Sequence, residues 1–139
     1  GGARGIVGHA HGLVGLEVAD NLRDAGEKFV LIDNNRDAYD RAIARGYPVL
    51  LGDCTHHDVL GSANLKNARC VVTTLGDDPD NVFVTLAVKQ LAPQACVISR
   101  AEREDTIEKL RQAGAESVFM PASLGGQAMA QAALKVTQQ

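Results

Sequence analysis

The sequence predicts a single α/β domain, residues 1–139, built on a parallel, doubly wound sheet of six strands with helices on both faces. Three observations carry this expectation. Short β-branched runs alternate with helical stretches along the whole 139-residue chain, the pattern that a βαβ series imposes. The runs are apolar throughout rather than alternating, as expected of strands buried on both faces. Aromatic residues make up only 4% of the chain and Trp is absent, while hydrophobic residues make up 45%. A core of Val, Leu, Ala and Gly suits helices packed closely on a parallel sheet better than a β-sandwich.

Taken in order, Ile6-Val7 lies in a short, Gly-rich first strand. Leu13 to Ala25 reads as a helix, with Val14, Val18 and Leu22 on one face and Gly26 as its stop. Lys28 to Asp33 is an apolar strand ending in an acid, and Asn35 to Arg45 a helix that stops at Gly46. Pro48 to Leu51 gives the third strand and His57 to Ala63 a short helix. Arg69 to Thr74 is the fourth strand, and Gly76 to Pro79 a polar loop ahead of a helix from Asp80 to Leu91. Ala95 to Arg100, Glu104 to Gln112, Ser117 to Met120 and about Leu124 to Lys135 complete the alternation. Right-handed crossovers then favour the strand order 3-2-1-4-5-6.

Bulk properties exclude several function classes. The formal net charge is −3 and no run of Lys or Arg occurs, so nothing favours a nucleic-acid backbone. Cys54, Cys70 and Cys96 form no CxxC pair, which suits a reducing cytoplasm better than a disulfide framework or zinc knuckle. No apolar run approaches the ~20 residues that span a bilayer. The chain begins Gly1-Gly2-Ala3-Arg4 without Met, a start that leaves a longer parent open.

In a doubly wound sheet, ligands bind at the carboxyl ends of the strands, where the strand order reverses. After the first strand comes Gly8-His9-Ala10-His11-Gly12-Leu13-Val14-Gly15. Gly12 and Gly15 supply the second and third glycines of a GxGxxG phosphate loop, and Ala10 stands at the first. The second strand ends in Asp33, 21 positions after Gly12, where Rossmann-type domains place the acid that accepts hydrogen bonds from a ribose diol. A carboxylate there repels a 2′-phosphate, which favours NAD-type or adenosine ligands over NADP. Asp33 as a loop acid or helix cap is the plainer reading, and Asn34 follows it.

Asp53, Cys54 and Thr55 close the third strand, and Thr73, Thr74 and Leu75 the fourth, so both loops would flank an adenine. Thr55 is equally a helix cap, and Thr74 equally a residue that satisfies the backbone at a strand end. Arg100 ends the fifth strand, where a guanidinium would meet a phosphate; an ion pair with Glu102 or Glu104 is its plainer role. The four histidines suit caps and surface better than a metal, because adjacent His56 and His57 diverge by about 100° on a helix. Neither a catalytic residue nor a metal site is assigned.

These segments together resemble the RCK domains, regulators of potassium conductance, also called Trk-type NAD-binding domains. The likeness runs from Ile6 to about Ala128. It rests on Gly12-Leu13-Val14-Gly15, on Asp33, and on Gly52-Asp53-Cys54-Thr55 in place of the family's Gly-Asp-Ala-Thr. It continues through Asp78-Pro79-Asp80-Asn81, Ser99-Arg100-Ala101 and Ile107 to Ala115. The resemblance implies a cytoplasmic regulatory module, not an enzyme, attached to a potassium channel pore or partnered with a transporter's membrane subunit. It implies a homodimer and a larger gating ring, and a crevice for NAD(H) or for AMP, ADP or ATP. Carried over, Gly12 and Gly15 hold phosphates, Asp33 the ribose and Arg100 a phosphate, while Asp53 lies near the adenine. Some members take calcium with an acid in the third-strand loop and two acids after the fifth strand. Asp53 and Glu102 fit that pattern, but Arg100 stands where one acid would be, so calcium is disfavoured.

Two other classes stay open at this point: an NAD-dependent oxidoreductase domain, and an assembly module with a degenerate pocket, for which Ala10 and Leu75 speak. In the last helix Leu124, Ala128, Ala132 and Val136 repeat every four residues. That stripe fits either self-packing on the sheet or docking on a partner subunit.

Overall fold

The computed structural model describes residues 5–7 and 13–138. The elements are β1 (Gly5–Val7), α1 (Leu13–Asp24), β2 (Phe29–Asp33), α2 (Arg36–Ala44), β3 (Val49–Leu51) and α3 (His57–Ser62). A 3-10 turn, Leu65–Asn67, precedes β4 (Cys70–Thr73), α4 (Asp78–Leu91), β5 (Cys96–Arg100), α5 (Thr106–Ala113), β6 (Ser117–Phe119) and α6 (Pro121–Thr137). All pairings are parallel, in the order β3-β2-β1-β4-β5-β6. The three-residue β1 joins two blocks, β2–β3 on one side and β4–β5–β6 on the other, with Val7 beside both Leu31 and Val72. The strand order reverses between β1 and β4, which places a crevice at their carboxyl ends.

The period-2 geometry of β2 divides the core. Phe29 and Leu31 face α1 and α2, packing with Ala19, Ala42 and Tyr47, while Ile32 joins the larger cluster of Val71, Val84, Val88, Val97 and Leu110 on the other face. Val88, Val97 and Leu110 are fully buried, and each side chain of that kind stabilises by about 1.5–3 kcal/mol. Gly114 ends α5 at φ +117°, and a Cβ there would lie 2.8 Å from Lys89 Cγ. Glycine alone both adopts that backbone and leaves room for Lys89.

Three helix starts differ from the sequence expectation by two residues or more. The α4 helix starts at Asp78 rather than Asp80, and α6 at Pro121 rather than Leu124. In both, proline occupies the first turn, where its fixed φ and missing N–H cost nothing. The α5 helix starts at Thr106 rather than Glu104, because buried Asp78 accepts the backbone N–H groups of Glu102 (2.8 Å) and Arg103 (3.0 Å) and holds them as a loop. The α6 helix buries none of its residues. Leu124, Met129, Leu134 and Val136 are between 51% and 76% exposed, so, of the two readings the sequence left open, the structure does not show self-packing on the sheet.

Candidate functional site

The crevice is built from the strand ends inward. Asp33 closes β2 with 2% exposure, and its Oδ1 accepts the Asn35 N–H at 2.8 Å. Asn35, not Asp33, caps α2, since its side chain accepts from Ala38 N at 3.0 Å. The Asp33 carbonyl accepts the Gly52 N–H at 2.8 Å, tying β2 to the loop after β3. In that loop Asp53 Oδ1 accepts both the backbone N–H (2.9 Å) and the hydroxyl (2.7 Å) of Thr55. His56 rather than Thr55 is the residue before α3, so Thr55 is committed to the Asp53 turn and is not the cap.

A cleft of about 460 Å³ opens here, lined by Asn34, Asp53, Thr55, Leu75, Asp77 and Asp80 among others. Three carboxylates make this half of the crevice suited to ribose hydroxyls and an adenine edge, which donate hydrogen bonds, and unsuited to phosphate. Leu75, 6% exposed, contributes an apolar wall. The α1 helix begins at Leu13 with no acid in its first turn. Ala10, His11 and Gly12, the expected phosphate loop, lie outside the described residues. Val14 lines a separate groove of about 560 Å³ between α1 and the start of α6, with Leu22 and Leu124.

The other expected residues divide by burial. Cys54, 2% exposed, is part of the larger core cluster. Thr73 and Thr74 are buried, and the Thr73 hydroxyl donates to Asn81 Oδ1 at 2.6 Å. Arg100 pairs with Glu102, its Nε donating to Glu102 Oε1 at 2.7 Å with Nη2 also in contact. The plainer role is therefore present in this state, and the same pair engages the one acid that would have joined Asp53 around calcium. Among the described residues, no group of three or more His, Cys, Asp or Glu is disposed to hold a metal, and no helix is long and apolar enough to cross a membrane.

Sequence reasoning missed the residue that organises the crevice floor. Asn81 is fully buried. Its Oδ1 accepts from Thr73 and from the Leu75 N–H at 3.0 Å, and its Nδ2 donates to the carbonyls of Leu75 (2.9 Å) and Arg100 (3.1 Å). One side chain thus ties the end of β4 to the end of β5. The signal was an amide in the first turn of α4, three residues after Asp78 and directly before the apolar run Val82-Phe83-Val84.

Comparison with known proteins places these features. The TrkA-N domain pattern matches residues 6–121. The chain is 29% identical over 126 residues to Potassium channel protein 1 of Methanocaldococcus jannaschii, covering 89% of this chain and 38% of that protein. It is 34% identical over 95 residues to the glutathione-regulated potassium-efflux system protein KefC of Escherichia coli, covering 68% of this chain and 15% of that protein. The chain therefore spans well under half the length of these relatives. The GsuK structure bound to ADP is 29% identical with a TM-score of 0.78, over 91% of this chain and 33% of that one. The GsuK channel bound to NAD is 26% identical with a TM-score of 0.72, over 86% and 21%.

Proposed function

Since the chain belongs to the TrkA-N domain family, we propose that it is the nucleotide-binding regulatory domain of a potassium channel or transporter, not an enzyme. One observation carries this reading: buried Asp33 closes β2 directly before Asn34, which lines an acidic cleft formed by the loops that follow β2, β3 and β4. Asp33 would accept the ribose hydroxyls. Asn34, Asp53 and Leu75 would surround the adenine, and the segment from Ala10 to Gly15 would hold phosphate. NAD and ADP are supported as ligand classes by the two GsuK structures. The membrane partner is supported by the channel and efflux relatives, and a cytoplasmic location follows from such a partner.

The test is a melting series. NAD, NADH, AMP, ADP or ATP at millimolar concentration should raise the melting temperature, because a ligand that binds only the folded state stabilises by RT ln(1 + [L]/Kd). NADP(H) should shift it less than NAD(H), because its 2′-phosphate would meet Asp33. No shift with any of the five would remove the binding claim.

The exposed apolar stripe of α6, beside the groove lined by Val14, Leu22 and Leu124, supports a homodimer that contributes to a larger gating ring. The chain should scatter light as a dimer at micromolar concentration, and truncation before Leu124 should weaken the dimer. A monomer at ~100 μM, far above the dissociation constant of a typical specific complex, would count against it.

A further inference from the structure

At the amino edge of the sheet, opposite the crevice, β4 and β5 both begin on cysteine, and the register sets Cys70 directly beside Cys96. Parallel neighbours in register project to the same face. A strand spacing of about 4.8 Å lies within the Cα separation of disulfides, about 4.4–6.8 Å. Both cysteines are free and only partly buried, whereas Cys54 is enclosed in the core.

We propose that Cys70 and Cys96 form a redox-active dithiol, which hydrogen peroxide closes to a cross-strand disulfide. Sulfur of Cys96 attacks one peroxide oxygen as its own proton leaves with the departing hydroxide. The O–O bond breaks, one water leaves, and Cys96 becomes a sulfenic acid. Sulfur of Cys70 then attacks the Cys96 sulfur, its proton leaves with the hydroxide as a second water, and the S–S bond forms. Two thiols lose two electrons and two protons, and the peroxide is reduced to two waters.

The assignment of roles has a physical cause. Burial first, then the neighbouring Cys96 and Glu116, push the Cys70 thiol up to about 12. Cys70 therefore keeps its proton at neutral pH and is a poor nucleophile, so the first attack falls to Cys96.

The experiment treats the intact chain with a modest excess of hydrogen peroxide, alkylates it under denaturing conditions, and maps the digest by mass spectrometry. A peptide linking Cys70 to Cys96, lighter by two hydrogens and restored by dithiothreitol, is expected, with Cys54 recovered alkylated. In Cys70→Ser, a dimedone adduct should form on Cys96; in Cys96→Ser, Cys70 should remain a thiol. If either variant fails to fold, the wild-type map alone decides. Recovery of both thiols alkylated in the wild type, or a bond through Cys54 or between two chains, would overturn the proposal.

Discussion

Asn81→Leu should destabilise the domain by about 3–5 kcal/mol, the largest loss expected from any single polar side chain here. Leucine keeps the branching and heavy-atom count of asparagine and leaves no cavity, so the loss is chiefly of hydrogen bonds, with added strain from its bulkier methyl groups. The substitution leaves the Leu75 N–H, the Leu75 and Arg100 carbonyls and the Thr73 hydroxyl without their partner in a buried site. Each stranded group costs roughly 1–3 kcal/mol, and partial repair by water keeps the sum below the simple total. Thr73→Val provides the scale, since it removes only one of the four bonds and should cost about 1 kcal/mol. Urea denaturation of both variants checks this. A loss under about 1 kcal/mol for Asn81→Leu would show that the hub does not hold the two strand ends together.

The parallel α/β character was legible because it is written in periodicity: unbroken apolar runs such as Phe29 to Ile32 can be satisfied only between two layers of helices. The strand-end acids Asp33 and Asp53 were legible for a related reason, since topology brings all carboxyl ends to one edge. What stayed hidden depends on partners distant in sequence. Asn81 reaches Arg100, nineteen positions on, and Asp78 reaches Arg103, twenty-five positions on; no local pattern encodes either contact. Cys70 and Cys96 looked isolated because only the β4–β5 register makes them neighbours. The α6 stripe was visible, but its periodicity is the same whether a helix covers its own sheet or another chain. The structure, in which α6 buries none of its residues, speaks against the first of these.

Arg100→Ala should weaken nucleotide binding by about 1.5–3 kcal/mol, the range for hydrogen bonds to charged groups, or roughly 10- to 150-fold in affinity. The unliganded fold should tolerate the change. The pair that the substitution breaks joins a side chain 19% exposed to one 44% exposed, and such pairs stabilise by about 0–1 kcal/mol. Glu102 supplies the complementary test. In the ligand-free domain its carboxylate occupies the Arg100 guanidinium, in a loop whose backbone Asp78 fixes at Glu102 N. A phosphate must displace that carboxylate before it can use the fork of Arg100. Glu102→Gln removes the competing charge, so binding should tighten by at most about 1 kcal/mol, the worth of the pair. Isothermal titration with ADP on the wild type, Arg100→Ala, Glu102→Gln and the double variant separates the roles. If Arg100 meets phosphate, the gain from Glu102→Gln vanishes in the Arg100→Ala background. Unchanged affinity in Arg100→Ala would instead confine Arg100 to the ion pair and leave phosphate recognition to the Ala10–Gly15 segment.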